Sequence, residues 1–518
     1  MQKNVLEYLE NSAKSFPDKL AYADENERVT FSELENEAKR IGTNISNKLN
    51  KINSPIAVVV DRNIRSLIAF FGVLYSGNYY VPIDNKMPKK RMETVLENLK
   101  PSLIIYFKQD EELVENLNDY NKIEFDEVLN SEIDEHILLE NRNKILNIDP
   151  VYIIFTSGST GVPKGIVIPH KNVIDFIDWM AEKCEFSSDD IMANQAPFYF
   201  DLSVKDIYLT LKCGATTYIL PKKTLMFPIL LVNFLNENKV TSLIWATSAF
   251  NLIANSNVLS KAVPKYLKKV VLGGEALLAS KLNIWRKVLP DVQYINLYGP
   301  TEVTVDCTYY KIEKEFKDYE AIPIGKACEN KEVLLLDENL ELVPDGDVGE
   351  ICVRGTGLAK GYYNDGEKTS QAFIQNPLNP YFPDIIYRTG DLGKKLDDGM
   401  IYFETRKDGQ IKHGGYRIEL GEIERALNSF SKISAAVCIY KKEEDKIICI
   451  YDGNATDEEI VNHIKTLVPK YMFPNRFIKL DAMPYNANGK IDRVKLKNEY
   501  VWKYNKTIYY EEENCYNG

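Results

Sequence analysis

The sequence lacks the features that mark several large classes of protein. Basic residues do not predominate, because 64 lysines and arginines stand against 75 aspartates and glutamates, a formal net charge of −11. Without a basic surplus, binding to nucleic acid or to an anionic membrane surface is not favoured. No apolar run reaches the roughly 18 residues of a membrane-spanning helix. We therefore expect a cytoplasmic protein with no nucleic-acid partner and no membrane partner.

Cysteine and histidine are also too few and too scattered for a metal or disulfide framework. The eight cysteines include no C-x-x-C pair, and none is spaced to form a metal site with the four histidines. We expect reduced thiols, most of them buried. His170 follows a glycine-rich loop and is a tempting catalytic base, but a single histidine without a partner favours a structural role.

The chain does contain the material for large cores. It has 518 residues, of which 45% are hydrophobic, so two or more globular domains are expected. Apolar, β-rich runs alternate with helical patterns through most of the sequence, which predicts α/β layers with largely parallel sheets. The predicted strands are Ile56–Val60, Leu103–Tyr106, Val151–Phe155, Thr216–Leu220, Ser242–Trp245 and Lys269–Leu272.

The pattern changes towards the C-terminus. Past about Val333, short strands alternate with glycine-rich turns such as Asp398-Gly399, which predicts an antiparallel β subdomain over about 333–407. A compact α+β unit of the size of a mobile lid is predicted from there to residue 518. Its predicted elements are a helix over about Glu419–Asn428 and strands over Ala435–Tyr440 and Lys446–Tyr451.

One loop has the composition of a phosphate-binding segment. The apolar strand before it leads into Thr156-Ser-Gly-Ser-Thr-Gly-Val-Pro-Lys164, which is dense in glycine and hydroxyl side chains. Glycines let backbone N–H groups approach a polyphosphate, and Lys164 supplies positive charge. The spacing differs from that of the standard nucleotide P-loop. The alternative is a flexible Gly/Ser turn with an incidental lysine.

A series of motifs, in a fixed order, carries a family resemblance. They are Phe70–Asp84, Phe155–Gly165, Phe200–Ser203, Asn296–Glu302, Gly349–Tyr363, Tyr387–Leu392, Arg406–Glu424 and Asn488–Arg493. With them the chain resembles the adenylate-forming superfamily, specifically the amino-acid-activating domains of nonribosomal peptide synthetases and the D-alanine–carrier protein ligases.

The resemblance implies both a fold and a reaction. The implied fold is α/β: a large N-terminal domain over 1–407, of two α/β layers plus the β subdomain, and a small mobile α+β C-terminal domain over 408–518. The implied enzyme joins AMP from ATP to the carboxylate of an amino acid and releases pyrophosphate. It then passes the aminoacyl group to the phosphopantetheine thiol of a carrier protein. No carrier domain is recognisable in the sequence, so we expect the carrier to be a separate protein.

The resemblance also implies roles for individual residues in binding ATP and Mg²⁺. Lys490 would bridge the substrate carboxylate and the α-phosphate, and Glu302 would help to hold Mg²⁺, with Thr301 on a phosphate oxygen. Asn296 and Tyr298 would hold the adenine, and Asp391 and Arg406 the ribose. The remaining ATP-binding positions are Thr156, Ser157, Gly158, Ser159, Thr160, Gly161, Lys164, Gly274 and Gly299.

By the same resemblance, Asp408 is the hinge of the C-terminal domain, and the loop with Lys412, Gly414 and Gly415 meets the pantetheine arm. Two departures from the family pattern fall here. Thr405 stands where the family usually has glycine, and His413-Gly-Gly-Tyr replaces a more usual Arg-Gly-Tyr. Both departures lie at the predicted hinge and carrier-docking surface, and not among the residues predicted to bind ATP.

The substrate pocket is inferred in the same way. Asp201 would pair with the α-ammonium of an amino acid, and the other pocket positions are Leu202, Lys205, Val271, Gly273, Leu297, Val305 and Asp306. A lysine with a nearby aspartate is similar to pockets that select glutamate or glutamine, in which the lysine pairs with a side-chain carboxylate. The alternative is that Lys205 and Asp306 neutralise each other and shorten the pocket, which suits D-alanine or another small amino acid.

Two other functions stay open at the sequence level. An acyl-CoA synthetase or an adenylate-forming amide ligase would keep the fold and change the acceptor. An inactive homologue that only binds nucleotide is the other, and the retained Lys490, Glu302 and Asp391 speak against it.

Overall fold

The computed structural model describes residues 2–115, 117–157, 163–407, 410–484 and 491–502. Within these ranges, no helix combines the length and apolar character needed to cross a bilayer. The chain forms two compact units. The first comprises Met1–Asn85, Leu96–Thr156 and Lys164–Lys407, and the second comprises Lys86–Val95, Ser157–Pro163 and Asp408–Gly518.

The strands of the described residues are numbered in chain order. They are β1 Leu20–Ala23, β2 Arg28–Thr30, β3 Pro55–Val60, β4 Tyr79–Asp84, β5 Leu103–Tyr106, β6 Lys122–Glu124, β7 Pro150–Thr156, β8 Lys164–Pro169, β9 Ile191–Asn194, β10 Thr216–Ile219, β11 Ser242–Ala246, β12 Lys269–Gly273, β13 Gln293–Tyr298, β14 Thr308–Lys311, β15 Lys326–Ala327, β16 Lys331–Leu336, β17 Val348–Gly355, β18 Phe373–Gln375, β19 Ile385–Lys395, β20 Ile401–Arg406, β21 Gln410–His413, β22 Tyr416–Glu419, β23 Ile433–Lys441, β24 Lys446–Gly453 and β25 Arg476–Leu480.

The α-helices are numbered in the same way. They are α1 Leu6–Ser15, α2 Phe31–Leu49, α3 Ile64–Tyr75, α4 Lys89–Leu99, α5 Glu111–Val114, α6 Phe125–Leu129, α7 Glu135–Lys144, α8 His170–Lys183, α9 Leu202–Cys213, α10 Lys222–Met226, α11 Pro228–Glu237, α12 Thr247–Asn255, α13 Ala279–Val288, α14 Gly366–Ala372, α15 Leu420–Asn428, α16 Asp457–Ile464 and α17 Arg493–Leu496.

Two large sheets form the α/β part of the first unit. One has nine strands in the order β15-β14-β13-β12-β11-β9-β10-β1-β2, and the other has six in the order β6-β5-β3-β4-β7-β8. Their central pairs are parallel, and strands such as β3, β11 and β12 are buried at every position. Continuous apolar runs are typical of parallel strands covered on both faces. The predicted α/β layers are confirmed, and each predicted strand lies within two residues of the observed one.

Helices α8 and α9 lie in the core that joins the two sheets. That core is rich in tyrosine, and the hydroxyls of Tyr80 in the six-stranded sheet and Tyr208 on α9 lie 3.1 Å apart. Buried tyrosines of this kind pair their hydroxyls because an unpaired buried polar group is costly. The packing fixes α9 against the sheets, and α9 carries predicted pocket residues.

The first unit also contains a separate antiparallel sheet of five strands. Four of them have the order β16-β17-β19-β18, and β20 pairs with the Asp391–Lys395 part of β19. The turn between β19 and β20 contains Gly399 at φ 74°, a left-handed conformation that glycine adopts without strain. The predicted antiparallel β subdomain is confirmed.

The second unit contains the β21–β22 hairpin, helix α15 and a three-stranded sheet in the order β23-β24-β25. The predicted helix begins one residue later than expected, at Leu420, and ends at Asn428 as predicted. The core of the second unit includes Ile423 and Leu427 from α15 with Ile447 and Cys449 from β24. The predicted α+β character of this part is confirmed.

Most of the described cysteines are buried, as predicted, and His170 makes a structural contact. Seven cysteines are free thiols, six of them buried, and the eighth, Cys515, lies outside the described residues. His170 is buried at the start of α8 and accepts a hydrogen bond from the backbone N–H of Val5 at 3.4 Å. Burial lowers the pKa of His170 to about 3, so the residue is a neutral structural acceptor.

Candidate active site

A single segment of the first unit supplies many of the predicted site residues. Strand β13 ends at Tyr298, and a short 3₁₀ turn over Thr301–Val303 follows it. Strand β12, which ends at Gly273, runs parallel to β13, with Leu272 opposite Asn296. Residues that follow the carboxyl ends of neighbouring parallel strands meet at one edge of the sheet, where α/β proteins bind ligands.

Glycine is required immediately after β13. A Cβ on Gly299 would lie 2.5 Å from the Cα of Asp306 and 2.6 Å from the carbonyl oxygen of Val305. Real Cβ atoms do not approach backbone this closely, so Gly299 lets the chain fold back on itself. The chain then brings Asp306 beside the end of β13.

The residues predicted for the ribose and for stacking on the adenine come together. Tyr298 donates a 2.5 Å hydrogen bond to Oδ2 of Asp391, and Arg406 donates to Oδ1 of the same carboxylate. Asp391 and Arg406 are directly opposite in the β19–β20 register. Burial, and after it the negative charge of Asp391, raise the pKa of Tyr298 well above its ordinary value. The arrangement fixes a buried carboxylate whose oxygens can accept from paired hydroxyl groups.

The other residue predicted to hold the adenine, Asn296, is oriented by the backbone. Its side-chain N–H donates to the carbonyl of Pro323 at 2.8 Å, and the side chain is buried. This bond sets which way the amide faces. Gly274, which follows β12, adopts φ 91°, again a conformation suited to glycine.

The carboxylate predicted to hold the metal, Glu302, is fully buried and already paired. Lys164 lies 3.0 Å from Oε1 of Glu302, and the hydroxyl of Tyr362 donates to the same oxygen at 2.9 Å. The Lys164 ammonium also lies 4.8 Å from the centre of the Tyr362 ring. Tyr362 was not predicted as a site residue, although it lies within the Gly349–Tyr363 motif.

In contrast to Glu302, the hydroxyl of Thr156, also predicted for the phosphate end of the site, has no partner among the described residues. The hydroxyl oxygen of Thr156, at the end of β7, is buried and makes no hydrogen bond there. A buried hydroxyl normally finds a partner, so Thr156 is suited to a phosphate oxygen. Thr301, also buried, lies next to Glu302 in the chain.

The donor set around Glu302 fits Mg²⁺. This ion takes oxygen ligands and is usually held by one or two carboxylates together with substrate phosphates. In the part of the chain that the structure describes, no group of three histidine, cysteine, aspartate or glutamate side chains could hold a metal by itself. A single buried carboxylate beside hydroxyl groups is suited to a magnesium ion that binds together with ATP.

The end of the predicted substrate pocket contains a buried ion pair. Nζ of Lys205 on α9 lies 2.9 Å from Oδ2 of Asp306, and the two side chains are 1% and 2% exposed. Gly273 lies beside this pair. A Cβ at this position would be in contact with it, 3.4 Å from Asp306 Oδ1 and 3.5 Å from Lys205 Nζ, so the absence of a side chain leaves space there. A contact between Lys205 and Asp306 was assumed by the alternative in which the pocket takes D-alanine or another small amino acid.

The remaining pocket positions lie on β12, on β13 and the turn after it, and at the start of α9. Val271 and Leu297 lie on the parallel strands β12 and β13 and belong with Val305 to the core between the two sheets. Asp201 stands at the N-terminus of α9 and is half-buried, followed by the buried Leu202. The predicted pocket therefore has an acidic group at one helix end and an ion pair one turn further along.

Three of the predicted residues of the second unit, Lys412, Gly414 and Gly415, lie on one hairpin. Gly414 at φ 60° and Gly415 at φ 83° form the turn between β21 and β22, and Lys412 is on β21. His413 accompanies them, with Nδ1 2.7 Å from Oδ1 of Asp445. Two glycines in left-handed conformations allow a tight turn with little side-chain bulk, as a passing pantetheine arm would need.

Six of the predicted site residues, including the lysine predicted to be catalytic, fall outside the part of the chain that the structure describes. Gly158, Ser159, Thr160, Gly161, Asp408 and Lys490 lie outside the described residues. Ser157, at the edge of the loop, is described, and its hydroxyl donates to the carbonyl of Arg417 at 2.7 Å within the second unit.

The sequence is similar to proteins of a known family. The sequence model of a family described as AMP-binding enzyme matches residues 9–363. The chain is 32% identical over 497 residues to tyrocidine synthase 1 of Brevibacillus parabrevis, which covers 95% of this chain and 44% of that protein. It is 31% identical over 503 residues to zwittermicin A synthase ZmaJ of Bacillus cereus, covering 95% of this chain and 94% of that protein.

A solved structure shows the same fold. Holo-PA1221, an NRPS protein containing adenylation and PCP domains, superposes with a TM-score of 0.82 at 23% identity, covering 96% of this chain and 84% of that one. The chain thus spans less than half the length of tyrocidine synthase 1, but nearly the whole of ZmaJ.

Proposed function

Because this chain belongs to the AMP-binding enzyme family, as an adenylation domain of the adenylate-forming superfamily, we propose that it activates an amino acid with ATP and transfers it to a carrier protein. In the first reaction a carboxylate oxygen of the amino acid bonds to the α-phosphorus, and the bond to the pyrophosphate oxygen breaks. In the second, a phosphopantetheine thiol attacks the acyl carbon and AMP leaves.

One observation carries the proposal. The segment from Asn296 to Asp306 places a nucleotide-end residue, a buried carboxylate and a pocket residue on one continuous turn at the end of β13. In-line displacement at phosphorus depends mainly on positioning and on neutralising charge. This arrangement supports the first requirement, because a single segment would position the base, the phosphates and the amino acid together.

The charged groups at the phosphate end meet the second requirement. Lys164 pairs with Glu302 and is placed to neutralise charge on the leaving pyrophosphate. Mg²⁺, held through Glu302 together with the phosphates, would supply further charge neutralisation, and Thr301 would bind a phosphate oxygen. We assign to Lys490 the contact with the substrate carboxylate. Lys490→Ala is expected to abolish adenylation while ATP binding, followed by calorimetry, persists.

For the amino acid we propose glutamate or glutamine. Lys205 contacts one carboxylate, Asp306, and an ammonium has three protons to donate. A side-chain carboxylate or amide carbonyl could accept one of the others, with Asp306 orienting the lysine. We assign Asp201 to the α-ammonium, since a half-buried carboxylate at this place suits a cationic group.

A second candidate substrate is favoured by the same ion pair. If Lys205 and Asp306 satisfy each other, the pocket ends in a neutral pair and is short. D-alanine or another small amino acid would then fit. The two candidates differ in what the side chain offers to Lys205.

For the transfer step we propose that residues 1–407 and 408–518 are two domains joined at a hinge at Asp408. The hairpin with Lys412, Gly414 and Gly415 would meet the pantetheine arm, and the carrier would be a separate protein. Coenzyme A or a free amine is the alternative acceptor, as in an acyl-CoA synthetase or an amide ligase.

The deciding experiment is amino-acid-dependent pyrophosphate exchange with purified protein, ATP and Mg²⁺, across the protein amino acids and D-alanine. Exchange fastest with glutamate or glutamine supports the proposal. A preference for alanine would replace the substrate assignment with the second candidate. A folded, ATP-binding protein that exchanges pyrophosphate with no amino acid would overturn the activity, leaving an inactive nucleotide-binding homologue. Loading assays with holo-carrier, coenzyme A and free amines then identify the acceptor.

A further inference from the structure

The backbone between Glu302 and Asp306 is strained. Thr304 has φ 61° and ψ 77°, and Val305 has φ 69°. Both are β-branched, and such residues rarely adopt positive φ. The N–H of Asp306 donates to the carbonyl of Thr304 at 3.0 Å, which closes a three-residue turn around Val305 of the rare, strained kind. A turn of this kind persists only where its surroundings hold it.

One side of the turn is held by neutral hydrogen bonds. The hydroxyl of Thr304 donates to the carbonyl of Gly357 at 2.7 Å and accepts from the side-chain amide of Asn172 at 3.0 Å. Asn172 also donates to the carbonyl of Leu358 at 2.8 Å, and both Asn172 and Thr304 are fully buried. These bonds fix Thr304, but they do not reach the far end of the turn.

The end of the turn at Asp306 is held by the ammonium of Lys331. The ammonium of Lys331, the first residue of β16, donates to the carbonyl of Asp306 at 2.6 Å and to the carbonyl of Val303 at 3.2 Å. It also lies 5.0 Å from the centre of the Phe176 ring. The two carbonyls flank the strained pair of residues, so Lys331 spans the turn from one side to the other.

We propose that Lys331 is a positioning residue for the amino acid pocket. By tying Val303 to Asp306 it keeps the strained turn closed and holds the Asp306 carboxylate against Lys205. The inference rests on the proposed function, because it concerns the same amino acid pocket. It adds a residue that lies outside the pocket and sets the position of the group at its end.

A glycine beside Lys331 gives an independent way to disturb the bridge. A Cβ on Gly357 would lie 2.5 Å from Cε and 2.9 Å from Nζ of Lys331, and 2.6 Å from the carbonyl oxygen of Val303. Gly357→Ala therefore pushes the ammonium away from the turn without removing its charge. If the bridge matters, this variant behaves like one that lacks the ammonium.

The test measures pyrophosphate exchange as a function of amino acid and of ATP concentration. Lys331→Met keeps the apolar stem and removes the donors. We expect the KM for the amino acid to rise about tenfold or more, with less than about a threefold change in the KM for ATP. Lys331→Arg, which keeps a cationic donor, should recover most of the loss, and Gly357→Ala should reproduce it.

Controls separate this role from general destabilisation. Lys223→Met, at an exposed lysine, and Gly366→Ala, where a Cβ meets nothing within 4 Å, should leave both KM values unchanged. An unchanged amino acid KM in Lys331→Met and Gly357→Ala would overturn the inference alone, and so would parallel losses in both KM values and kcat that arginine does not rescue. If Lys331→Met fails to fold, Gly357→Ala decides. Wild-type protein inactive with every amino acid would overturn the proposed function and, with it, this inference.

Discussion

The hydroxyl of Tyr298 donates a 2.5 Å hydrogen bond to the carboxylate of Asp391, 93 residues further along the chain. Tyr298 ends β13 and Asp391 lies within β19, so the bond ties the nine-stranded sheet to the antiparallel one. The tyrosine therefore orients the carboxylate that is predicted to bind the ribose.

Removing this hydroxyl is expected to destabilise the protein. Tyr298→Phe keeps the ring and takes a donor from a buried carboxylate, which costs about 1.5–3 kcal/mol for a bond to a charged group. Urea-induced unfolding should show the loss as a lower midpoint at unchanged slope. Tyr319→Phe, at a tyrosine that is 81% exposed, is the matched control. Equal midpoints for Tyr298→Phe and the wild type would contradict the prediction.

The Lys205–Asp306 pair should show strong coupling. Both side chains are almost fully buried, and removal of one partner leaves an uncompensated charge, which costs about 3–5 kcal/mol. Lys205→Met and Asp306→Leu should each lower the free energy of unfolding by such an amount. The double variant should lose much less than the two losses combined. Chemical denaturation of all four proteins measures the coupling, and additive losses would show that the pair is not an interacting unit.

Much of the fold follows from local sequence patterns. Leu103–Tyr106 is a strand with the predicted bounds, because its four residues form a short apolar run with two β-branched isoleucines, which favours a buried strand. Glycines gave the turns for a similar reason, as at Gly399, whose φ of 74° is open to few other residues. Where an element is determined by residues close together in the sequence, the predicted element agrees with the observed one.

The groups that hold the site in place could not be predicted from local patterns. Tyr362 contacts Glu302 across 60 residues, and Asn172 contacts Thr304 across 132. Lys331 begins a strand, a position that gives no reason to expect a contact with the turn at Val305. The turn itself could not be predicted from the sequence either, because Thr and Val normally avoid the left-handed backbone that they adopt there. Such contacts exist only once distant elements pack.

Tyr362 is expected to support the phosphate end of the site. Its hydroxyl contributes one of the hydrogen bonds to the buried Glu302 carboxylate, so Tyr362→Phe should leave Glu302 less well oriented for Mg²⁺ and ATP. We expect the KM for MgATP to rise about three- to tenfold with little change in the KM for the amino acid. Pyrophosphate exchange at varied ATP measures the effect.

The neighbouring tyrosine is the control for that prediction. Tyr363→Phe removes a hydroxyl that donates to the carbonyl of Leu99 at 3.3 Å, away from Glu302. It should leave the KM for MgATP within about twofold of the wild-type value. If the two variants behave alike, Tyr362 has no special part in orienting Glu302.

The last prediction concerns Asp206, which is fully buried on α9 next to Lys205. One carboxylate oxygen accepts from the side-chain amide of Asn194 at 2.9 Å, and the other has no partner among the described residues. Burial raises the pKa of Asp206 from 3.8 to about 7, although the bond from Asn194 and the charges of Lys205 and Arg62 act in the opposite direction.

The sign of the pH effect follows from linkage. Between pH 3.8 and about 7 the folded protein retains a proton on Asp206 that the unfolded chain has lost. The stability that this proton provides is complete below pH 3.8 and is lost as the pH rises through 7. Asp206→Asn is neutral throughout, so it should match the wild type near pH 4 and exceed it above pH 7, by about 2–4 kcal/mol. Urea unfolding at several pH values measures this difference, with the exposed Asp397→Asn as a control that should show none. A difference that does not grow with pH, or a wild type more stable than Asp206→Asn at pH 8, would show that Asp206 is ionised at little cost in the folded protein.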